Sequence, residues 1–367
     1  MKITNKRIVD VYDEVSNDFY KNKENKNQKS KHWQSYYGFK KFNTENLINF
    51  RSSGIGAGLD DQTNSFTFKT YAEVVNQLSE EYVFSNLPKK NIGKSELLIK
   101  YKNIFLDYNK LIHIHWFNDV EKNVLKNNQI SSICEIGGGF GSFSELFIKN
   151  YNTKLLSIDL PEACLMAAYY LKESFPEKKF YLYDDYKKNN YLSYEDFLNF
   201  DIIILPPNLN IDPKIEIDFF INARSMAEMN FITIKSYFEF IQKHVTENGF
   251  LLNINRYDKS SVGENIRISE YPYDGNWNVL CSKPAFSQPH IHFLLTQRDL
   301  SQECANLEKE LLEIKKLEKV FYDKHVESIP FWGRAMVLYI LKEIFSKKLL
   351  RFLGDFLLKI GSKLKKL

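Results

Sequence analysis

Residues 130 to 145 read Ile130-Ser-Ser-Ile-Cys-Glu-Ile-Gly-Gly-Gly-Phe-Gly-Ser-Phe-Ser-Glu145. The apolar run from Ile130 to Ile136 predicts a short buried strand, and the residues from Ser142 to Lys149 predict the start of a helix. The glycines between them have no Cβ atoms, so the backbone can adopt positive φ and lie close to a ligand. The helix N-terminus directs its free N–H groups toward the same place. This stretch therefore predicts a strand, a ligand-binding glycine loop and a helix.

A second apolar strand is predicted from Lys154 to Ile158, and Asp159 follows it directly. An acid at the end of this strand can accept two hydrogen bonds from ribose hydroxyls, which favours a nucleoside-like ligand. The dinucleotide fingerprint needs Gly-x-Gly-x-x-Gly or Ala, and both possible registers here, from Gly137 or Gly139, end on a serine. A nicotinamide-dependent oxidoreductase is therefore disfavoured.

The spacing Glu135-x-Gly137-x-Gly139-x-Gly141 resembles the first motif of class I S-adenosylmethionine-dependent methyltransferases. The resemblance implies that Glu135 and the three glycines form the site for the methionine part of S-adenosylmethionine. It also implies that Asp159 holds the ribose. The alternative is a structural glycine turn in another α/β protein. The acid before the glycines and the strand that ends on Asp159 favour the cofactor site.

Composition and charge restrict the other classes of function. The chain has 367 residues, 44% of them hydrophobic, which suggests about two domains with ample apolar material for a core. The net charge of +4 does not imply a nucleic-acid partner, and we expect none. The four cysteines and seven histidines show no metal-ligand spacing, so no metal is expected. Without an apolar leader or a run of about 20 apolar residues, we expect a cytoplasmic protein.

The pattern along the chain predicts four regions. Residues 1–125 are predicted to be a helical region that caps the acceptor site. Residues 126–298 alternate strands and helices, which predicts a doubly wound, Rossmann-like α/β sheet as the cofactor-binding domain. Residues 299–345 are predicted to be a helical extension, and residues 346–367 a basic amphipathic helix.

Several elements are predicted within these regions. Residues 95–124 have helical apolar spacing and are predicted to form one helix. Residues 49–61 contain a second glycine cluster, which is predicted to be a loop lining the acceptor pocket. The later strands are predicted at residues 180–183 (third), 200–205 (fourth), 249–256 (fifth) and 289–298 (late). Ligands of such sheets bind at the carboxyl ends of the strands, so residues 206–210 are predicted to rim the cofactor cleft. In the related enzymes, a polar residue after the third strand binds the adenine amino group, which implies that role for Asp184 and Asp185.

Further blocks make the resemblance more specific. They are Ile158-Asp-Leu-Pro-Glu162, Ser225-Met-Ala-Glu-Met229, Tyr237-Phe-Glu-Phe240 and Tyr271-Pro-Tyr-Asp274. Together with the glycine loop they resemble a bacterial family of sugar O-methyltransferases, over roughly residues 45–298. The resemblance implies a sugar hydroxyl acceptor and a role in surface polysaccharide synthesis, such as capsule or lipopolysaccharide. A nucleotide sugar, a lipid-linked glycan and a finished polymer all stay open as acceptors.

Methyl transfer to a hydroxyl needs alignment of the acceptor oxygen and a base that takes its proton. Glu228 is the first candidate for this base, because it lies in a block shared with the family. Its structural alternative is a carboxylate at a helix start, favoured by the helix dipole. His290 and His292 are alternative bases, since alternation along a strand places them on one face.

Four residues are candidates for acceptor binding. Tyr271, Tyr273 and Asp274 could bind sugar hydroxyls, although a turn explains the same block. Arg256 could hold an anionic group such as a uronate or a nucleotide phosphate, or could pair with a surface acid.

The segment from Ser346 to Leu367 contains seven basic residues and one acid, a net charge of +6 that leaves −2 for the rest of the chain. Its leucines and phenylalanines form an apolar stripe opposite the lysines. One interpretation is peripheral contact with the inner face of the cytoplasmic membrane. The other is docking on its own domain or on a second subunit, which would make the protein a homo-oligomer.

A second hypothesis for function comes from a different class. A catalytically inactive methyltransferase-fold scaffold at the membrane, in a glycan assembly complex, would use the charged helices and the basic tail. The intact glycine loop and Asp159 favour the enzyme, since a scaffold need not keep them.

Overall fold

A computed structural model of the chain describes residues 3–21, 43–52, 64–260, 263–301 and 305–327. The described residues up to Lys315 belong to one compact unit, and those from Lys316 to Glu327 belong to a second. The predicted basic helix at residues 346–367 lies outside the described residues, as do residues 53–61 of the second glycine cluster. The division of the chain into four regions stays a prediction.

The N-terminal part is mainly helical, as predicted. Its elements are helices α1 (Asn5–Lys21), α2 (Thr44–Ile48), α3 (Asn64–Gln77), α4 (Glu80–Asn86) and α5 (Tyr108–Val120), with strands β1 (Ile99–Tyr101) and β2 (Ile104–Leu106) before α5. The single helix predicted over residues 95–124 is wrong in its first half. There β1 and β2 form an antiparallel hairpin whose turn contains Lys102 at a φ of 53°. Helix α5 begins only at Tyr108, because the Asp107 side chain caps it by accepting a hydrogen bond from the Lys110 amide at 3.1 Å.

The central element of the described chain is an eight-stranded sheet of order β11-β12-β8-β7-β3-β4-β6-β5. Its strands are β3 (Ser132–Ile136), β4 (Lys154–Ile158), β5 (Phe180–Tyr181), β6 (Ile202–Leu205), β7 (Ile217–Ala223), β8 (Val245–Arg256), β11 (Trp277–Ala285) and β12 (Gln288–Arg298). The pairs from β5 to β8 are parallel, and β12 runs antiparallel to both β8 and β11. All five residues of β3 are buried, as expected for a strand covered on both faces. The doubly wound, Rossmann-like sheet predicted from the sequence is therefore confirmed.

Helices alternate with these strands. They are α6 (Ser144–Tyr151), α7 (Pro161–Ser174), α8 (Tyr183–Tyr186), α9 (Tyr194–Asn199) and α10 (Phe231–His244), and a short hairpin of β9 (Asp258–Lys259) and β10 (Ile266–Arg267) follows β8. Helix α11 (Ala305–Glu327) follows the sheet and buries Leu307 and Ile314, so a helix is confirmed within the predicted helical extension. Among the described helices, none is long and apolar enough to cross a membrane.

The order of the strands places beside β3 a strand that was not predicted from the sequence. The apolar run predicted as the fourth strand is β6, which pairs with β4, while the strand beside β3 is β7. No strand was predicted for residues 217–223, an apolar run that contains the single acid Asp218. That acid joins β7 to β3, since its carboxylate accepts hydrogen bonds from the Ser131 and Ser132 amides at 2.8 and 3.0 Å.

The predicted third strand is also shorter than expected. Strand β5 contains only Phe180 and Tyr181 at the sheet edge, and Asp184 and Asp185 lie in helix α8. The predicted fifth and late strands correspond to β8 and β12, and the antiparallel strand β11 was not predicted.

Replacing Asp218 with alanine should destabilise the fold by about 1–3 kcal/mol, because two amides of the β3 start lose their acceptor. Urea denaturation followed by circular dichroism measures this free energy of unfolding. The exposed Glu216, two residues before Asp218, provides the control, and Glu216→Ala should change the free energy of unfolding by less than about 0.5 kcal/mol. Equal effects of the two substitutions would contradict the assigned role of Asp218.

Candidate functional site

The glycine loop between β3 and α6 has the backbone conformation that its sequence predicts. Gly137, Gly139 and Gly141 have φ values of 68°, 61° and 82°. The Gly137 amide donates to the Ile158 carbonyl at 2.8 Å, which ties the loop to the end of β4. A Cβ atom on Gly137 would overlap the Ser225 hydroxyl, whereas one on Gly139 would meet open space within 4 Å. Gly139 is therefore the point of the loop that a ligand can approach.

Asp159, at the end of β4, is bonded directly to this loop. One carboxylate oxygen accepts from the Gly139 amide at 2.8 Å, and the other accepts from the Leu160 amide at 2.7 Å. Each oxygen keeps a further lone pair, so the carboxylate can still accept hydrogen bonds from two hydroxyls of a ligand. Burial raises the pKa of Asp159 to about 7, and the charges of Glu162 and Glu228 add to this shift. The structure thus brings the predicted ribose acid and the predicted glycine loop into one site.

Glu135 supports the loop from inside. Its side chain is buried at 1% exposure and accepts a hydrogen bond from the Ser144 hydroxyl in the first turn of α6. Burial raises the pKa of Glu135 to about 7. Its implied contact with a cofactor stays a prediction.

A buried lysine that the sequence analysis missed fixes the start of α6. The Lys110 ammonium is 2% exposed and donates to the Ser142 carbonyl at 2.6 Å and to the Glu145 carboxylate at 2.5 Å. The Tyr170 hydroxyl donates to the same carboxylate at 2.6 Å. Lys110 directly precedes the mainly apolar run from Leu111 to Phe117, which indicates that its charge is buried. A buried charge requires a partner, so the sequence pointed to an ion pair here.

The start of the second glycine cluster lies beside the loop. The Phe50 ring packs edge-on against Phe140, with centroids 5.5 Å apart, and the Arg51 guanidinium lies 5.0 Å from the centroid of the same ring. Arg51 also forms a buried ion pair with Asp107 at 2.9 Å. The part of this cluster predicted to line the acceptor pocket, residues 53–61, lies outside the described residues.

Buried amide side chains connect the carboxyl ends of β3, β7 and β8. The Asn222 amide donates to the Ile136 carbonyl at 2.8 Å and to the Ser225 hydroxyl at 2.7 Å. The Asn255 amide donates to the Asn222 side-chain carbonyl at 2.9 Å, and the Asn253 amide donates to the Tyr273 hydroxyl at 2.8 Å. These residues were not predicted from the sequence, although a polar side chain at the end of an apolar strand indicates a buried hydrogen bond.

The candidate base Glu228 lies near this site. It ends a short 3₁₀ turn, Met226–Glu228, that follows β7. Its carboxylate accepts a hydrogen bond from the Lys259 ammonium at 2.9 Å, and its charge acts on both Asp159 and Arg256. The structure therefore brings Glu228, Asp159 and Arg256 to the same edge of the sheet.

The two acids implied to bind adenine are engaged by the N-terminal helix. Arg7 of α1 donates to Asp184 at 2.8 and 2.9 Å and to Asp185 at 2.6 Å. The same helix contacts the start of α7, where the Tyr20 hydroxyl donates to Glu162 at 2.9 Å. Both contacts fix α1 against the β4–α7 side of the site. An adenine contact for Asp184 and Asp185 stays a prediction.

The alternative bases have other partners. The Nδ1 atom of His292 is 2.9 Å from the Tyr257 hydroxyl, and its Nε2 atom is 2.7 Å from the Ser282 hydroxyl. Burial lowers the pKa of His292 to about 4. The carbonyl of His290 accepts from the Tyr257 amide at 3.2 Å. With both ring nitrogens of His292 engaged, Glu228 is the better candidate for the base.

The block from Tyr271 to Asp274 makes structural contacts. The buried Tyr271 ring packs against Phe238, and the Tyr273 hydroxyl accepts the hydrogen bond from Asn253. Asp274 forms an ion pair with Arg298. These contacts explain the block as a packed corner, and its role in acceptor binding stays a prediction.

Among the residues that the structure describes, no three His, Cys, Asp or Glu side chains are grouped so that they could hold a metal ion.

No family model and no curated protein matches this chain. Solved structures similar to it include the mitomycin 7-O-methyltransferase, at 12% identity and a TM-score of 0.33, where the match covers 52% of this chain and 57% of the other. An O-methyltransferase family 2 protein from Planctomyces limnophilus, in complex with apigenin, matches at 12% identity and 0.32, over 66% of this chain and 63% of the other. The chain thus spans less than two thirds of the length of these two proteins. A magnesium protoporphyrin IX methyltransferase from Synechocystis, with bound S-adenosylmethionine, matches at 10% identity and 0.33, over 64% of this chain and 93% of the other.

Because these sequence identities and TM-scores are low, the fold is assigned from the chain's own strand order and loop geometry. The parallel strands β5 to β8 with the antiparallel β12 and β11, and the glycine loop after β3, define a doubly wound, Rossmann-like sheet with a glycine loop at the carboxyl end of β3.

Glu135→Gln should make stability less sensitive to pH. The pKa of Glu135 is raised from 4.5 to about 7, so between these values the folded protein binds a proton that the unfolded chain releases. Stability from this group is therefore lost as pH rises from about 4.5 to 7, by about 3 kcal/mol in total. Urea denaturation at pH 5 and pH 8 should show that the free energy of unfolding of the variant, relative to the wild type, is higher at pH 8 than at pH 5. A stability difference between variant and wild type that stays constant with pH would contradict this.

Proposed function

We propose that this protein is an S-adenosylmethionine-dependent O-methyltransferase that methylates a sugar hydroxyl. The observation that carries the proposal is the hydrogen bond between the Gly139 amide and the Asp159 carboxylate at 2.8 Å. This hydrogen bond joins a loop of glycines with positive φ to an acid whose oxygens can still accept hydrogen bonds from a ligand. The space beside Gly139 is open. These are the two groups that a nucleoside ligand with a polar tail requires.

The residues present suit S-adenosylmethionine. Gly137, Gly139 and Gly141 would lie along its methionine part, and Asp159 would accept the ribose hydroxyls. When bound, the cofactor supplies a methyl group on a positively charged sulfur, which is a good leaving group. The protein then has to align the acceptor oxygen and remove its proton.

Glu228 suits the removal of that proton. A sugar hydroxyl is a weak acid, so its oxygen attacks effectively only as the proton passes to a base. Glu228 lies within electrostatic reach of Asp159, and its hydrogen bond from Lys259 holds the carboxylate in one orientation. Both residues come from loops after parallel strands, where ligands of such sheets bind.

The sugar acceptor and the role in surface polysaccharide synthesis are supported by the resemblance of residues 225–229, 237–240 and 271–274 to sugar O-methyltransferases. A nucleotide sugar, a lipid-linked glycan or a polymer would serve as acceptor on the cytoplasmic side of the membrane. Contact of residues 346–367 with that membrane, and a homo-oligomer, belong to the same proposal and are independent of the catalytic site.

Calorimetric titration with S-adenosylmethionine and S-adenosylhomocysteine tests the cofactor. We expect micromolar binding to the wild type and no binding of NADH. Asp159→Ala should weaken binding by about tenfold to a hundredfold, because two hydrogen bonds to the ribose are lost. The exposed Glu195 gives the control variant, Glu195→Ala, whose affinity should equal that of the wild type. Absence of binding to both sulfur ligands would overturn the methyltransferase and favour the scaffold.

Glu228→Gln tests the base. Transfer of radiolabelled methyl groups to the glycan fraction of the producing cells should fall by about a hundredfold or more, because the amide cannot take the hydroxyl proton. Calorimetry should show unchanged affinity for S-adenosylmethionine. Glu264→Gln is a matched control, since Glu264 is exposed and accepts a hydrogen bond from the Phe231 amide at the start of α10, which a glutamine can also accept. Full activity of Glu228→Gln would exclude Glu228 as the base.

A further inference from the structure

The edge of the sheet around Glu228 carries charged side chains of both signs. Arg256 is the last residue of β8, and Lys259 lies in β9, three residues further on. The acids around them are used elsewhere. Lys259 pairs with Glu228 at 2.9 Å, and Asp258 pairs with Arg267 at 3.1 Å. After these pairings, no carboxylate among the described residues is in contact with the Arg256 guanidinium.

Arg267 also takes up the other nearby acid. Its guanidinium donates to Glu270 at 3.2 Å as well as to Asp258. Across the sheet, the residue opposite Arg256 on β12 is the apolar Ile291. Neither the neighbouring hairpin nor the adjacent strand therefore supplies a counter-charge to Arg256.

Arg256 is partly buried, and its guanidinium makes no hydrogen bond or ion pair with the residues that the structure describes. Burial lowers the pKa of Arg256, and the negative charge of Glu228 acts against that shift. Removing a guanidinium from water without pairing it costs free energy, so such a group is usually kept for a ligand. The side chain also keeps some exposure to solvent, which leaves it accessible.

We propose that Arg256 and Lys259 form a subsite for an anionic group, a phosphate or a carboxylate, on the acceptor. The planar guanidinium can bind either group through two parallel hydrogen bonds, and the lysine adds a second charge. This proposal rests on the proposed function, because it places the subsite beside Glu228 as the base. Because Lys259 also holds Glu228, an anion bound by both cations would bring the acceptor next to that carboxylate.

The negative charge on the acceptor could come from a carboxylate or from a phosphate. A panel of sugars distinguishes the two. Glucuronate carries a carboxylate on the sugar, glucose 1-phosphate and uridine diphosphate glucose carry phosphates, and glucose carries no charge. Calorimetric titration of the full-length protein saturated with S-adenosylhomocysteine should show at least one anionic sugar binding about tenfold more tightly than glucose. Preference for glucuronate assigns a uronate acceptor, and preference for the phosphates assigns an activated sugar.

Arg256→Gln should abolish that preference, and Arg256→Lys should keep part of it. Arg267→Gln removes a positive charge from β10, where Asp258 and Glu270 already neutralise it, and should leave the preference for anionic sugars unchanged. Thermal denaturation separates a ligand-binding role from a structural one. A guanidinium without a counter-charge does not stabilise the fold, so the melting temperature of Arg256→Gln should equal or exceed that of the wild type.

Three results would overturn the subsite. They are equal binding of charged and neutral sugars, absence of binding by every anionic sugar, and equal losses in Arg256→Gln and Arg267→Gln. Binding of S-adenosylhomocysteine is measured on the same samples. If S-adenosylhomocysteine does not bind, the proposed methyltransferase function is wrong. If it binds but anionic sugars are not preferred, only the proposed subsite is wrong.

Discussion

The hydrogen bond from the Gly139 amide to Asp159 is the constraint on which the site depends. It requires β3 and β4 to be parallel and in register, with Ile136 opposite Ile158, so that the loop after one strand meets the acid after the other. It also requires the left-handed backbone at Gly139, which residues with a Cβ atom rarely adopt. On the other side of β3, Asn222 and Ser225 hold the Ile136 carbonyl and close β7 against Gly137. The loop is thus fixed by the ends of three strands.

This arrangement places charge where the fold does not favour it. Burial raises the pKa of both Glu135 and Asp159 to about 7, so each carboxylate reduces stability when it ionises. The neighbouring Lys110 and Glu145 form a buried pair with good hydrogen bonds and hold the helix start in place. Carboxylates with strongly raised pKa values beside an open loop are typical of functional sites, where binding requires groups that stability alone would exclude.

The local parts of the site could be predicted from the sequence. An apolar run, a glycine cluster and a helix start are neighbours in the chain, and Asp159 follows its strand directly, so their geometry needs little information from elsewhere. The position of β7 could not be predicted in this way. Both β6 and β7 are apolar runs, and which of them lies beside β3 depends on crossovers that sequence periodicity does not record. Partners distant in sequence were missed for the same reason, as with Arg7 and Asp184, which lie 177 residues apart.

The acids and cations around the site fall into two groups according to their partners. Asp184 and Asp185 are paired with Arg7, and Glu145 is paired with Lys110, so these carboxylates hold helices together. Asp159 is bonded to two backbone amides, which orient its oxygens without neutralising its charge. A carboxylate held in this way can still accept hydrogen bonds from neutral hydroxyls. Arg256 is the converse case, because this cation contacts no carboxylate in the described part of the chain. Glu228 lies within electrostatic reach of both Asp159 and Arg256. The distribution of charge along this edge therefore suits a ligand that brings hydroxyls to one end and negative charge to the other.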